Sequence, residues 1–183
     1  MNIVSILAAP SQNFTARMFE EFNKSLNPEK HNINLIDLYL EEFDPVLRPE
    51  KPRSSQVQKY QDQIREADLI VVFYPVWWMN IPAILKGFLD QVLVEDLAYK
   101  YDRGYPRGLL GGKRALVFST SEQPNWQLTW LYGNSNQLIW SRGVLNYVGI
   151  RNFKFFNVDR INQVTPEKKK HIIDEIKMMA TSI

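Results

Sequence analysis

The chain alternates between short apolar runs and segments in which apolar residues recur every three or four positions. Short apolar runs predict buried strands, and the longer spacing predicts one face of a helix. The predicted strands are residues 3–8, 33–38, 69–74, 114–119 and 154–158. The predicted helices are residues 14–26, 54 or 55 to 66, 82–94, 135 or 136 to 148, and a last one that starts at 165–168.

Strand and helix alternate five times, with short connections between them. Such connections favour parallel strands joined by right-handed crossovers. The sequence therefore predicts an α/β fold: a doubly wound, five-stranded parallel sheet with helices on both faces. Asn13 and Thr165 are the predicted helix caps. We expect loops at 39–52 and 97–110 and an irregular or partly helical segment at 121–134. No repeat or linker is visible, which predicts one domain over residues 1–183.

The connection after the third strand carries two adjacent tryptophans, Trp77 and Trp78, between prolines. In an open α/β sheet, loops at the carboxyl ends of strands line the ligand crevice. The loop shows neither strand alternation nor helical spacing, so we interpret it as a platform for a flat aromatic ligand. A plug in the core and a dimer patch are the alternatives.

Two further loops at the same predicted edge are rich in polar groups. Ser11, Gln12, Asn13 and Thr15 stand at the start of a helix, where the dipole favours a phosphate. The alternative is a capped helix with a polar surface. Residues 119–126 form another polar loop, for which a solvated turn is the alternative. Together the three loops suit a flavin nucleotide in the flavodoxin-like strand order.

Charge and composition exclude several classes of protein. The net charge is +2, from 22 basic and 20 acidic residues, which is too balanced to indicate nucleic-acid or membrane-surface binding. There are no cysteines, so disulfides and thiolate metal sites are excluded. No apolar run approaches the ~20 residues of a membrane span, and no basic leader is visible. We therefore expect a cytoplasmic protein without membrane insertion.

Glycine and histidine placement excludes other sites. All eight glycines lie at or after Gly87, so the first turn holds no Gly-x-Gly-x-x-Gly dinucleotide motif. His31 and His171 stand in polar surroundings, and no cluster has the spacing of metal ligands. The run of lysines at 168–170 is predicted to be a solvated helical face.

Several stretches resemble one family. Pro75-Val76-Trp77-Trp78, followed by Ile-Pro-Ala-Ile-Leu-Lys-Gly-Phe at 81–88, resembles the NAD(P)H:quinone oxidoreductases of flavodoxin-like fold. Residues 97–101 and 108–113 are also similar, and so are Thr120, Pro124 and Trp126. The resemblance spans residues 1 to about 149.

The resemblance implies a tightly held FMN, with FAD as the alternative, and a homodimer. The implied contacts to the phosphate and ribityl chain are Ser11, Asn13, Phe14 and Thr15. Those to the isoalloxazine are Pro75, Val76, Trp77 and Trp78, and those to its polar edge are Thr120, Ser121 and Glu122. The implied substrate residues are Trp78, Tyr99, Tyr101 and Trp126, the two tyrosines reaching the site of the partner subunit.

Two positions depart from the family pattern. Ala9 stands where many members have histidine, and Thr120-Ser121-Glu122-Gln123 stands where many have Thr-Thr-Gly-Gly. The bulkier residues alter the pocket, so the resemblance does not identify the molecule that accepts electrons from the flavin.

The implied activity is two-electron reduction of a quinone-like acceptor by NADH or NADPH, in ping-pong order. The flavin carries this chemistry, so neither a catalytic side chain nor a metal is predicted. The alternatives are a flavodoxin-type electron carrier and a regulatory flavoprotein subunit of a membrane transporter.

Overall fold

A five-stranded parallel sheet forms the centre of the computed structural model, which describes all 183 residues. Its strands are β1 (Asn2–Leu7), β2 (Asn32–Asp37), β3 (Leu69–Pro75), β6 (Arg114–Thr120) and β7 (Asn152–Val158). They lie in the order β2-β1-β3-β6-β7, and every pair is parallel. This is the predicted flavodoxin-like order, and all five predicted strands are confirmed.

Helices cover both faces of the sheet. They are α1 (Phe14–Ser25), α2 (Ser55–Glu66), α3 (Ala83–Val92), α4 (Asn125–Trp130), α5 (Ser135–Leu138) and α6 (Pro166–Thr181). One core packs α1 and α6 on one face, and the other packs α2 and α3 on the opposite face. No helix combines the length and apolar character that a membrane span requires.

Stacked aromatic rings run across the sheet beneath α1. Phe73 of β3 stacks on Phe118 of β6 at 4.7 Å, and Phe118 stacks on Phe156 of β7 at 5.0 Å. Phe22 of α1 packs edge-on against Phe73 and at a tilt against Phe118. Such pairs contribute beyond the area that they bury, so they tie α1 firmly to the middle of the sheet.

The predicted caps are confirmed. The side-chain oxygen of Asn13 accepts from the N–H of Ala16 at 3.1 Å, which fixes the start of α1. The hydroxyl of Thr165 accepts from the N–H of Lys168 at 3.3 Å, and Pro166 occupies the first turn of α6. Both helices therefore begin where the sequence predicted.

Two predictions about local structure were wrong. The segment 97–110 was predicted to be a loop, but it contains an antiparallel hairpin of β4 (Tyr99–Asp102) and β5 (Tyr105–Gly108). Arg103 and Gly104 both have positive φ, 51° and 84°, the conformation that closes a two-residue hairpin. The expected regular helix from 135 to 148 is instead α5 followed by a wider, π-helical segment, Ile139–Leu145.

Gly87 allows a close approach between α3 and the connection from β2 to α2. A Cβ at this position would lie 2.2 Å from the carbonyl oxygen of Pro45. We expect Gly87→Ala to lower the free energy of unfolding by about 1–3 kcal/mol because the backbone must move apart. Gly143→Ala is the control, since no atom lies within 4 Å of its added Cβ, and it should be neutral or stabilise by up to about 1 kcal/mol. Equal urea midpoints for the two variants would contradict this packing.

Candidate functional site

A cavity of about 740 Å³ opens at the carboxyl edge of the sheet. Its walls are residues 13–14 after β1, 75–79 after β3, 120–123 after β6, and Ile161, Asn162 and Lys169 around the start of α6. A second cavity, of about 780 Å³, lies between the β2–α2 connection and the end of α3 and includes none of these loops. The first cavity is the one that brings the predicted ligand loops together.

Most of the residues expected at the cofactor lie in this wall. Those that line it are Asn13, Phe14, Pro75, Val76, Trp77, Trp78, Thr120, Ser121 and Glu122. Ser11 is exposed outside the wall, and Thr15 is fully buried beneath it. The Thr15 hydroxyl lies 2.8 Å from the Thr120 hydroxyl, so it joins the loops after β1 and β6.

The expected substrate residues lie apart from the cavity, except Trp78. Tyr99 and Tyr101 belong to the hairpin, and Trp126 is 58% exposed on α4. Within one copy of the chain these three side chains do not line the wall.

Five other residues line the cavity but were not among the predicted site residues, although Met79 and Gln123 lie in predicted ligand loops. The five are Met79, Gln123, Ile161, Asn162 and Lys169. The segment before α6 reaches the cavity because the N–H of Ile161 donates to the carbonyl of Ser121 at 3.0 Å. Lys169 contradicts the expectation that residues 168–170 are a uniformly solvated face, since it is half-buried at the cavity while both neighbours are exposed.

The loop after β1 presents unpaired backbone donors. The N–H groups of Ser11, Gln12, Phe14 and Thr15 have no acceptor within the chain. The N–H of Ala16, by contrast, donates to the side-chain oxygen of Asn13. These donors stand at the amino end of α1, where the helix dipole adds positive potential. The arrangement suits an anion with several oxygen atoms.

The tryptophans stand on a strained turn. The backbones of Trp77 and Asn80 donate to each other at 3.0 Å in both directions. Between them, Trp78 and Met79 have φ of 51° and 58°, a left-handed conformation that costs about 1–2 kcal/mol per residue. The Ser135 hydroxyl holds the turn by donating to the carbonyl of Met79 at 2.8 Å. Strain of this kind persists where the surroundings enforce it, often at functional sites.

The strained turn projects the rings outward. Trp78 is 96% exposed and Trp77 is 43% exposed, whereas the neighbouring Val76 is buried. The tryptophans are therefore not a plug in the core, which removes one alternative interpretation. A large aromatic side chain held in solvent offers a ready surface for stacking.

A buried hydrogen-bond network supports the turn from below. The hydroxyl of Tyr74 accepts from the indole N–H of Trp140 at 2.8 Å and donates to the side-chain oxygen of Asn136 at 2.6 Å. Burial raises the pKa of the Tyr74 hydroxyl well above its usual range, so the group remains a neutral donor. Because Tyr74 immediately precedes Pro75, this network fixes the end of β3.

The same network extends beneath the loop after β6. The hydroxyl of Ser119 donates to Asn157 of β7 at 2.7 Å, and the Asn157 amide donates to Ser121 at 2.9 Å and to Asn125 at 2.8 Å. Ser121 in turn donates to the carbonyl of Gln123 at 2.9 Å. Asn157 therefore fixes the polar wall of the cavity, although no local pattern in the sequence indicates this role.

The sequence profile of the Flavodoxin_2 family, described as a flavodoxin-like fold, matches residues 1–180. The chain belongs to this family. Its fold and the crevice at its strand ends agree with that assignment.

Three similar proteins show how this Flavodoxin_2 chain relates to others. An uncharacterized NAD(P)H oxidoreductase of Haemophilus influenzae is 37% identical over 120 residues, which are 64% of this chain and 59% of that protein. An FMN-dependent NADH:quinone oxidoreductase of Clostridium perfringens is 27% identical over 86% of this chain and 82% of its own. The crystal structure of Smu.1420 from Streptococcus mutans UA159 has a TM-score of 0.90 at 27% identity and covers 100% of both chains.

The extent of these matches differs. The chain spans about half the length of several other curated relatives, between 44% and 46%. The Streptococcus mutans structure, by contrast, matches this Flavodoxin_2 chain from end to end. The fold is therefore shared over the whole length of both chains.

Removing the Tyr74 hydroxyl tests the buried network. Tyr74→Phe leaves the Trp140 indole and the Asn136 oxygen without this partner, and we expect it to lower the free energy of unfolding by about 1–3 kcal/mol. Tyr132→Phe is the matched control, since Tyr132 is 46% exposed and its hydroxyl makes no hydrogen bond within the chain. Urea unfolding of both variants is the measurement. A Tyr74 variant as stable as the control would show that the network contributes nothing.

Proposed function

We propose that this chain is a flavin-dependent NAD(P)H oxidoreductase that reduces quinones or similar acceptors by two electrons. The observation that carries the proposal is the single cavity that joins an amide-rich helix start, a pair of exposed tryptophans and a polar loop. The printed names of the relatives support it, because one is an NAD(P)H oxidoreductase and another an FMN-dependent NADH:quinone oxidoreductase. FMN is the proposed cofactor, FAD the alternative, and NADH or NADPH the reductant.

The donor set fits the phosphate end of a flavin nucleotide. Phosphate oxygens accept from several donors at once, and the loop after β1 offers N–H groups that have no other partner. The side chains of Ser11 and Asn13 add polar groups beside them. In this assignment Thr15 acts indirectly, because its buried hydroxyl holds the loop against Thr120.

The opposite wall fits the ring system. Pro75 and Val76 form its floor, and the rings of Trp77 and Trp78 stand beside it. The backbone N–H groups of Trp78, Glu122 and Gln123 have no acceptor within the chain, and all three residues line the cavity. Preorganised donors of this kind stabilise negative charge that develops in a reaction, and a reduced flavin is such an anion.

In this proposal the residues of the chain bind and orient the cofactor. No histidine or cysteine lines the cavity, and Glu122 and Lys169 are its charged residues. When bound, the flavin would accept a hydride from NAD(P)H and deliver two electrons to the acceptor. The Asn157 amide donates to the Ser121 hydroxyl and so holds the polar loop in place opposite the tryptophans.

We also propose that the chain acts as a cytoplasmic homodimer. Tyr101 and Tyr105 are 56% and 78% exposed on the hairpin, so the hairpin is available to a second copy. Tyr99, Tyr101 and Tyr147 pack edge to face, and the hydrogen bond with Tyr101 raises the pKa of Tyr147 to about 12. The exposed aromatic rings of the hairpin suit a contact with aromatic residues of a second copy.

The proposed activity has a direct spectroscopic test. The purified protein should bind FMN, and NADH or NADPH should bleach the flavin absorption band. Addition of a soluble quinone such as menadione should restore the band and sustain turnover. A protein that binds neither FMN nor FAD would contradict the proposal. Flavin binding without reduction by either nucleotide would favour an electron carrier instead.

Trp78 should contribute to flavin affinity without contributing to stability. We expect Trp78→Ala to weaken FMN binding about tenfold, because an aromatic pair is worth up to about 1.5 kcal/mol. Trp130→Ala is the control, since Trp130 is 82% exposed but lies outside the cavity. Fluorescence titration with FMN gives both dissociation constants. If the two variants bind FMN equally well, Trp78 does not contact the flavin.

A further inference from the structure

One lysine of the basic run at 168–170 differs from its neighbours. Lys169 is half-buried at the cavity, whereas Lys168 and Lys170 are exposed. The Lys169 ammonium lies 5.7 Å from the centroid of the Phe14 ring, within the range of a cation–π contact. It makes no ion pair and no hydrogen bond within the chain. Lys169 is thus a charged group held at the cavity without an anionic partner.

The packing of two helices fixes this position. α6 lies beside α1 in one core, where Ile173 and Ile176 meet the face that carries Phe22. Lys177 forms an ion pair with Glu21 at 2.7 Å, and Lys169 lies over Phe14 at the other end. The two contacts are separated by eight residues on α6 and seven on α1, so the helices run side by side in the same direction. The amino ends of both helices therefore meet at the cavity.

Charge is scarce in the cavity wall. Glu122 and Lys169 are the charged residues that line it, and Lys169 is its cation. Phe14, which the ammonium overlies, is itself one of the residues whose N–H has no acceptor. The lysine and the unpaired amides consequently share one end of the cavity, and the tryptophans stand on another wall.

We propose that Lys169 pairs with the terminal phosphate of the bound flavin and makes the site selective for FMN. This inference rests on the proposed flavin function. A phosphate monoester carries a charge of about −1.5 to −2 near pH 7, whereas each phosphate of a pyrophosphate diester carries a single charge. A cation at the phosphate end therefore favours FMN over FAD, and both over riboflavin, which has no phosphate.

Binding titrations with three flavins test the assignment. FMN, FAD and riboflavin are titrated into apoprotein, with quenching of flavin fluorescence as the readout. We expect Lys169→Gln to weaken FMN binding about tenfold or more, because a charge-assisted hydrogen bond is lost. The affinity for riboflavin should not change. Lys170→Gln should bind all three flavins as the unaltered protein does, and Lys169→Arg should retain most of the FMN affinity.

The salt dependence of the unaltered protein gives a second readout that needs no variant. FMN affinity should fall with added KCl while riboflavin affinity stays constant, and Lys169→Gln should flatten the FMN dependence. If Lys169→Gln weakens FMN binding and riboflavin binding equally, or leaves the FMN affinity unchanged, the proposal is overturned. Failure of the unaltered protein to bind any flavin would instead overturn the proposed function, so the two failures are distinguishable.

Discussion

The position of β3 in the middle of the sheet is the constraint on which the site depends. All seven residues of β3 are buried, and the strand pairs with β1 on one side and β6 on the other. The chain leaves β1 toward β2 and leaves β3 toward β6, so the connections diverge and open a crevice between them. The loops after β1, β3 and β6 line one cavity because their strands are neighbours in this order.

The polar groups under the crevice keep these loops in place. Tyr74, Asn136 and Trp140 form a hydrogen-bonded cluster in an apolar core, where an unmade hydrogen bond would be costly. Ser135, the neighbour of Asn136, donates to the carbonyl of Met79 at 2.8 Å and holds the turn at Trp78 and Met79 in its left-handed conformation. The buried network therefore stabilises the turn, and the turn exposes the Trp78 ring to solvent.

The sequence predicted the strands, the caps and the ligand loops because their signals are local. Asn13 caps the helix that begins next to it, and the run from Leu69 is apolar because the strand is buried on both faces. The sequence does not predict the hairpin at 99–108 because Gly104 and Pro106 are typical of loops, although Arg103 and Gly104 form a tight hairpin turn. The π-helical segment was missed because its apolar spacing resembles that of an ordinary helix.

By itself the sequence determined the α/β class, the family resemblance and the paired tryptophans on a loop between strand and helix. The tertiary structure decided which distant residues join that loop. Asn157 supports Ser121 from β7, and Lys169 reaches the cavity from α6, because sheet order and helix packing bring them there. No local pattern distinguishes Lys169 from Lys168 and Lys170, since the difference lies only in which side of α6 faces α1. Trp77 and Trp78 remain the feature that marks the site, and the structure shows that a strained turn on a buried polar network presents them.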